Sequence, residues 1–88
     1  DPGSGEWATW PLVGDSAAAY AVYVDEMDIV WVSDFGANSM VRFDPATEEM
    51  TSLELPHDPG EVRQILGREG EVWGAESAAD SLILVRTR

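Results

Sequence analysis

The chain of 88 residues contains no cysteine and no lysine, and it has one histidine. The absence of cysteine excludes disulfides and thiolate zinc sites, and it leaves the redox compartment open. No apolar run approaches the roughly 18 residues of a membrane span. No signal peptide is recognisable, and the opening DPGSG is typical of a linker or a cut point. We therefore expect a soluble chain of unknown compartment.

Positive charge is also scarce, because five arginines stand against 17 acidic residues for a formal net charge of −12. Nucleic-acid binders carry basic faces, so a nucleic-acid partner is not expected, and neither is an anionic membrane. The acid surplus indicates a highly solvated surface, with a site for a cation or a cationic ligand as the alternative. The hydrophobic content of 44% is that of a globular domain rather than a disordered chain.

Two stretches carry the same pattern of Val-Trp, two small or β-branched residues, an acid, a small-residue turn and an apolar run. They are VWVSDFGANSMVRF from Val30 and VWGAESAADSLILV from Val72. At an offset of 42 the register runs without a gap from about residue 20 to residue 43. A partial third match at an offset of 43 relates WATWPLVGD, from Trp7, to EMTSLELPHD. A period near 42 is that of a four-stranded β-propeller blade.

Short β-branched and aromatic runs separated by polar turns predict strands. The expected strands are residues 7–12, 20–24, 29–32, 40–43, 50–55, 62–66, 72–75 and 82–85. DPAT, from Asp44, predicts a type I turn, although a helix over residues 44–55 is the alternative. We expect an all-β chain of about two propeller blades. Residues 1–5 form a linker, 6–15 an outer strand of a preceding or swapped blade, 16–58 the first blade, and 59–88 a second blade without its outer strand.

These motifs resemble the streptogramin lyase (virginiamycin B lyase) type of propeller. Its blades carry a Trp after an apolar residue, then a small residue, an acid, an Asn or Asp, an aliphatic residue and often an Arg. The first copy reads Val30-Trp31-Val32-Ser33-Asp34, followed by Asn38, Met40 and Arg42. The second copy departs from this pattern with Leu84 where Arg would fall. The resemblance covers roughly residues 6 to 86, and it implies a fragment, since family members usually have about six or seven blades.

The resemblance also implies a chemistry, namely opening of a cyclic depsipeptide ester by elimination, with a histidine base and a Mg²⁺ held with help from a glutamate. Glu76, and less strongly Asp34, occupies the acid position and is a candidate ligand-binding residue, with Glu76 also a candidate metal contact. Alternatively, both acids anchor turns through backbone N–H groups. His57 lies in the connector LPHDPG, away from both acids in sequence. We expect a solvated loop residue there and assign no catalytic residue.

The four tryptophans have two expected roles. Trp31 and Trp73 recur at one blade position, which favours packing. Trp7 and Trp10 lie on the predicted outer strand, and they are candidates for an interface with another subunit. Two blades alone would leave two apolar faces bare, so a head-to-tail homo-oligomer is expected. A trimer of six blades is favoured, and a dimer or a tetramer is the alternative. The missing outer strand could come from residues 7–12 of another copy.

Three functions are consistent with these features. The first is a self-assembling scaffold or ligand-binding propeller piece without competent catalysis. The second is a Mg²⁺-dependent lyase or lactone-directed enzyme with a site at the propeller axis. The third is an acidic protein-interaction module.

Overall fold

Seven antiparallel strands form two sheets in the computed structural model, which describes residues 9–12 and 17–87. The first sheet has the order β1-β2-β3-β4 and the second the order β5-β6-β7. The strands are β1 (Ala19–Val24), β2 (Val30–Asp34), β3 (Ser39–Asp44), β4 (Glu49–Glu54), β5 (Val62–Arg68), β6 (Glu71–Glu76) and β7 (Ser81–Arg86). The described ranges hold no helix, so the all-β prediction is confirmed and the helical alternative for residues 44–55 is wrong.

The turns follow from residues that tolerate a left-handed backbone. Asn38, Glu48 and Asp80 have φ values of 52°, 61° and 53°, each at the last position of a hairpin turn. Asn and Asp adopt this conformation more readily than other non-glycine residues. In the turn that DPAT begins, Ala46 N–H donates to the Asp44 side chain and Glu48 N–H to the Asp44 carbonyl. These turns let consecutive strands pair as hairpins.

The core lies between the two sheets. We call the surface of each sheet that carries Trp31 or Trp73 its tryptophan face, and the other its opposite face. The tryptophan face of the first sheet packs on the opposite face of the second, and Trp31 is only 2% exposed. Buried members of this core are Ile29, Trp31, Met40, Leu55, Val62, Ile65 and Val72. The two sheets therefore contact each other through unlike faces rather than through two tryptophan faces.

The pairing of the strands shows that the predicted ungapped offset of 42 between the two copies is wrong for the first strand of each sheet. Trp31 pairs with Arg42 and Trp73 with Leu84, so the second and third strands of the two sheets keep the offset of 42. In the first strands, however, Tyr23 pairs with Trp31 whereas Leu66 pairs with Trp73, which is an offset of 43. The physical reason is a connection that is one residue shorter in the second sheet, since six residues lie between the paired Leu66 and Trp73 and seven lie between the paired Tyr23 and Trp31.

Residues 9–12 belong to neither sheet in this structure. Trp10 lies on the opposite face of the first sheet, with its ring 5.1 Å from that of Phe43. Trp7 lies outside the described residues, so its predicted strand and interface role stay predictions. No helix of the length and apolarity that a bilayer crossing requires occurs in residues 9–12 or 17–87.

Candidate functional site

The two acids singled out by sequence end equivalent strands. Asp34 is the last residue of β2 and Glu76 the last residue of β6. Both are buried, although carboxylates are rarely buried without partners. Their hydrogen bonds therefore indicate what each acid does.

Glu76 binds the connector between the sheets. Its Oε1 lies 2.8 Å from His57 Nδ1, and its Oε2 accepts the backbone N–H of His57 at 3.3 Å. The Glu76 side chain is fully buried, whereas that of His57 is 55% exposed. Sequence reasoning missed this pair because the two residues are 19 positions apart. The sequence did contain a signal for this contact. The connector leads into β5, and β5 pairs with β6 in a hairpin, so the start of β5 lies beside the end of β6.

Asn38 holds the same connector from the side of the first sheet. Its Nδ2 donates to the His57 carbonyl at 2.7 Å, and its Oδ1 accepts the Gly60 N–H at 2.8 Å. A Cβ on Gly60 would stand 2.7 Å from Glu76 Oε2 and 2.7 Å from Leu55 Cδ1, so a larger residue there would displace both side chains. The connector is thus clamped by one side chain from each sheet.

Asp34 performs a similar task within the first sheet. Its Oδ1 accepts the N–H of Ala18 at 2.8 Å and that of Ala37 at 3.2 Å. Its Oδ2 is buried without a hydrogen-bond partner among the described residues, as is Ser39 Oγ on the paired strand. The backbone contacts match the expectation that these acids anchor turns, and Asp34 and Glu76 have no hydrogen-bond partner in common among these contacts.

A magnesium ion does not fit the donors that this chain brings together. Mg²⁺ requires several oxygen ligands in near-octahedral geometry. Both Glu76 oxygens accept hydrogen bonds from His57, and within the described residues no three His, Asp or Glu side chains are grouped closely enough to hold a metal. No reaction step through magnesium is therefore derived from this chain alone.

A second polar centre lies at the opposite end of β2. Asp25 Oδ2 accepts the indole N–H of Trp31 at 2.8 Å, and Oδ1 accepts the N–H groups of Met27 and Ile29. Burial raises the pKa of Asp25, but the hydrogen bonds from Trp31, Ile29 and Met27 outweigh it, so the net pKa lies below the ordinary value. A cavity of about 570 Å³ opens here between the sheets, and its polar lining includes Asp25, Arg42, Asp44 and Arg86.

A stacked aromatic pair, of which Tyr20 is exposed and Phe35 half-buried, was not expected from the sequence. The rings of Tyr20 and Phe35 stack at 4.7 Å with an interplanar angle of 9°. The Arg63 guanidinium lies 5.9 Å from each ring centroid and also donates to Ser77 Oγ. This contact joins the beginning of β5 to the first sheet, and cation–π attraction of this kind strengthens such a junction.

Comparison with known structures supports the propeller interpretation at the level of the fold. Virginiamycin B lyase from Staphylococcus aureus superposes with a TM-score of 0.78 and 23% identity over 86% of this chain. A catalytically inactive histidine-to-alanine variant of that enzyme with quinupristin gives 0.77 and 23%. A streptogramin B lyase structure gives 0.76 and 18% over 85%. The two sheets therefore correspond to β-propeller blades.

This chain spans 26% of the length of each of those lyase structures. Neither a protein-family model nor a curated protein matches the sequence. At these identities the likeness concerns the fold, and the chain is a propeller fragment relative to those structures.

Proposed function

We propose that this chain is a two-blade building unit that assembles head to tail into a closed propeller, as a scaffold or ligand-binding module without competent catalysis. The observation that carries the proposal is a match between two faces that no other sheet of the chain covers within the described residues. One face is the tryptophan face of the second sheet. The other is the opposite face of the first sheet.

The contact already formed inside the chain supplies the template. Trp31 packs on the face that presents Ile65 and Val72. Trp73 stands at the same place relative to its strands, since Trp31 pairs with Arg42 and Trp73 with Leu84. No second sheet of the chain covers Trp73 within the described residues. A further blade placed there would repeat the internal contact.

Both faces carry exposed apolar side chains, although Trp10 covers Phe43 on the opposite face of the first sheet. Leu82 is 74% exposed beside Leu66 on the tryptophan face of the second sheet. Val22 is 67% exposed beside Val24 on the opposite face of the first sheet. Complete burial of one such side chain contributes about 1.5–3 kcal/mol. Because the two faces differ, their contact is heterologous and can close only as a ring.

A trimer of six blades is our preferred assembly, with a dimer or a tetramer as the alternatives, because propellers usually contain four to eight blades. The net charge of −12 per chain opposes close approach of the copies. Screening by salt weakens that repulsion. The assembly should therefore loosen at low ionic strength and tighten as salt is added.

Sedimentation velocity over a range of salt concentrations tests the proposal. We expect an oligomer whose population grows with salt, and Leu82→Asp should shift it to monomer. Ala78→Asp is the matched control, because Ala78 is an exposed residue in the turn between β6 and β7, outside both faces, and does not line the cavities between the sheets. A compact monomer at all salt concentrations, or equal dissociation by both variants, would refute the assembly.

The enzymatic alternative is favoured by one observation, the contact between His57 and Glu76. Lyase chemistry opens the ester by elimination, so a ring-opened product would keep the mass of the substrate. The scaffold proposal expects no such product when the chain is incubated with quinupristin, with or without Mg²⁺. Turnover by the wild type that is lost in folded Glu76→Gln would favour the enzyme instead.

A further inference from the structure

We infer that residues 9–12 of one copy form the fourth strand of the second sheet of a neighbouring copy, pairing antiparallel with β7. This inference rests on the proposed head-to-tail assembly and specifies its joint. The occupant is a second copy of this chain, and the surface it covers is the free edge of β7.

The free edge stands beside a cleft. The first sheet continues beyond β3 to β4, whereas the second sheet ends at β7 within the described residues. Within residues 9–12 and 17–87 no strand therefore lies opposite β4, and cavities of about 570 and 170 Å³ open between β4 and β7. Leu53 of β4 and Val85 of β7 line both cavities. An extended segment on the edge of β7 would lie over β4.

The position of Trp10 identifies the segment. Its ring lies 5.1 Å from Phe43 on the opposite face of the first sheet, and its indole N–H donates to Glu48 at 3.1 Å. Phe43 pairs with Val30, as Val85 pairs with Val72 in the second sheet. Trp10 therefore lies against Phe43 much as Leu53 lies near Val85. Residues 9–12 already stand where the outer strand of a preceding blade belongs.

The register follows from the first sheet. Met40 pairs with Leu53, and Ser39 pairs with Glu54. Transferred to the second sheet, these pairs become Leu82 with Trp10 and Ser81 with Pro11. The transfer uses the offset of 42 for β7 and the offset of 43 that relates Trp10 to Leu53 in sequence.

Proline provides an independent check of this register. The N–H of Leu55 donates to the Asn38 carbonyl, so that pair is hydrogen-bonded. In antiparallel ladders bonded and non-bonded pairs alternate, which makes the neighbouring pair of Ser39 and Glu54 non-bonded. Pro11 takes the place of Glu54, where no backbone N–H is required of an outer strand. A slip of one residue would place proline where a hydrogen bond must be donated.

Cysteine cross-linking tests this pairing cleanly, because the chain has no cysteine of its own. Directly opposed residues of a non-bonded pair have Cα atoms about 4.5 Å apart, which suits a disulfide. We expect Pro11→Cys combined with Ser81→Cys to give covalent oligomers on mild oxidation, and reduction should return them to single chains. Pro11→Cys combined with Leu82→Cys is the control, since those side chains would point to different faces.

Three outcomes overturn the inference. Efficient cross-linking of the control pair would mean a different register. If the protein sediments as an oligomer but forms no cross-link, or forms one only within single chains, another segment occupies the cleft. The proposed ring would then remain possible without the exchanged strand. A protein that remains monomeric would remove both the ring and the exchanged strand.

Discussion

Trp31 and Trp73 occupy the same place in their sheets and differ in what covers them, so their substitution separates packing within one chain from packing between copies. Trp31 is 2% exposed in the core between the sheets. Truncation of a buried tryptophan to alanine typically costs about 3–5 kcal/mol. The Asp25 oxygen that accepts the indole N–H would also lose that donor, at a further cost of about 1–3 kcal/mol.

These costs are large for a chain of 88 residues. Domains are stable by about 0.05–0.15 kcal/mol per residue, which is about 4–13 kcal/mol here. Trp31→Ala should therefore remove most of the free energy of unfolding and leave many chains unfolded. Trp31→Phe keeps most of the ring and loses the hydrogen bond, so it should cost less and remain measurable.

Trp73→Ala should behave differently. Trp73 is only partly buried, and its N–H donates to Glu71 near the surface. In dilute, dissociated chains we expect it to lower the free energy of unfolding by about 1 kcal/mol, the central value for single substitutions, because Trp73 lies outside the core between the sheets. At concentrations where the wild type is oligomeric, it should instead abolish the oligomer.

Urea unfolding of dilute protein, followed by circular dichroism, measures the first effect, and sedimentation of concentrated protein measures the second. Equal destabilisation of the dilute chain by Trp31→Ala and Trp73→Ala would refute the assignment of Trp31 to an internal interface. An oligomer unaffected by Trp73→Ala would refute the corresponding role of Trp73 between copies.

Two further predictions concern the polar contacts. Because the pKa of Asp25 is lowered on folding, its contribution to stability is full above the ordinary aspartate pKa and is lost as pH falls through the lower folded value. Asp25→Asn should therefore flatten the acid side of the stability profile, and an unchanged slope in urea titrations between about pH 5 and about pH 2 would contradict this. Asn38→Ala removes two hydrogen bonds to the connector. Asp80→Ala is its control, because Asp80 has a similar φ at the equivalent turn position. Asn38→Ala should lower the free energy of unfolding by about 1–3 kcal/mol more than Asp80→Ala in the same urea assay.

Sequence predicts the strands well because the signals are local. The strands come close to the predicted segments, since β-branched runs and turn residues mark both ends. The packing role of Trp31 was also predicted, because its recurrence at blade spacing pointed to a core position. These elements depend on neighbours along the chain, which is why a single sequence suffices.

Features that depend on distant parts of the chain were missed. The contact of His57 with Glu76 joins a connector to the end of a strand 19 residues later. The register shift arises in a turn whose length the repeat alone does not reveal. The stacking of Tyr20 on Phe35 requires β1 and the end of β2 to lie side by side. Each follows only once the hairpins have been assembled.

The recurring acid at the end of the second strand has a physical explanation that requires no chemistry. At that point the chain entering each blade passes close by, and its backbone N–H groups have no strand partner. Asp34 accepts one such group from Ala18, and Glu76, with a longer side chain, accepts one from His57. A buried carboxylate is tolerated where it gains such charge-assisted bonds, and removing it would leave buried donors unpaired. An acid at the end of the second strand can therefore recur because it binds the segment that leads into its own blade.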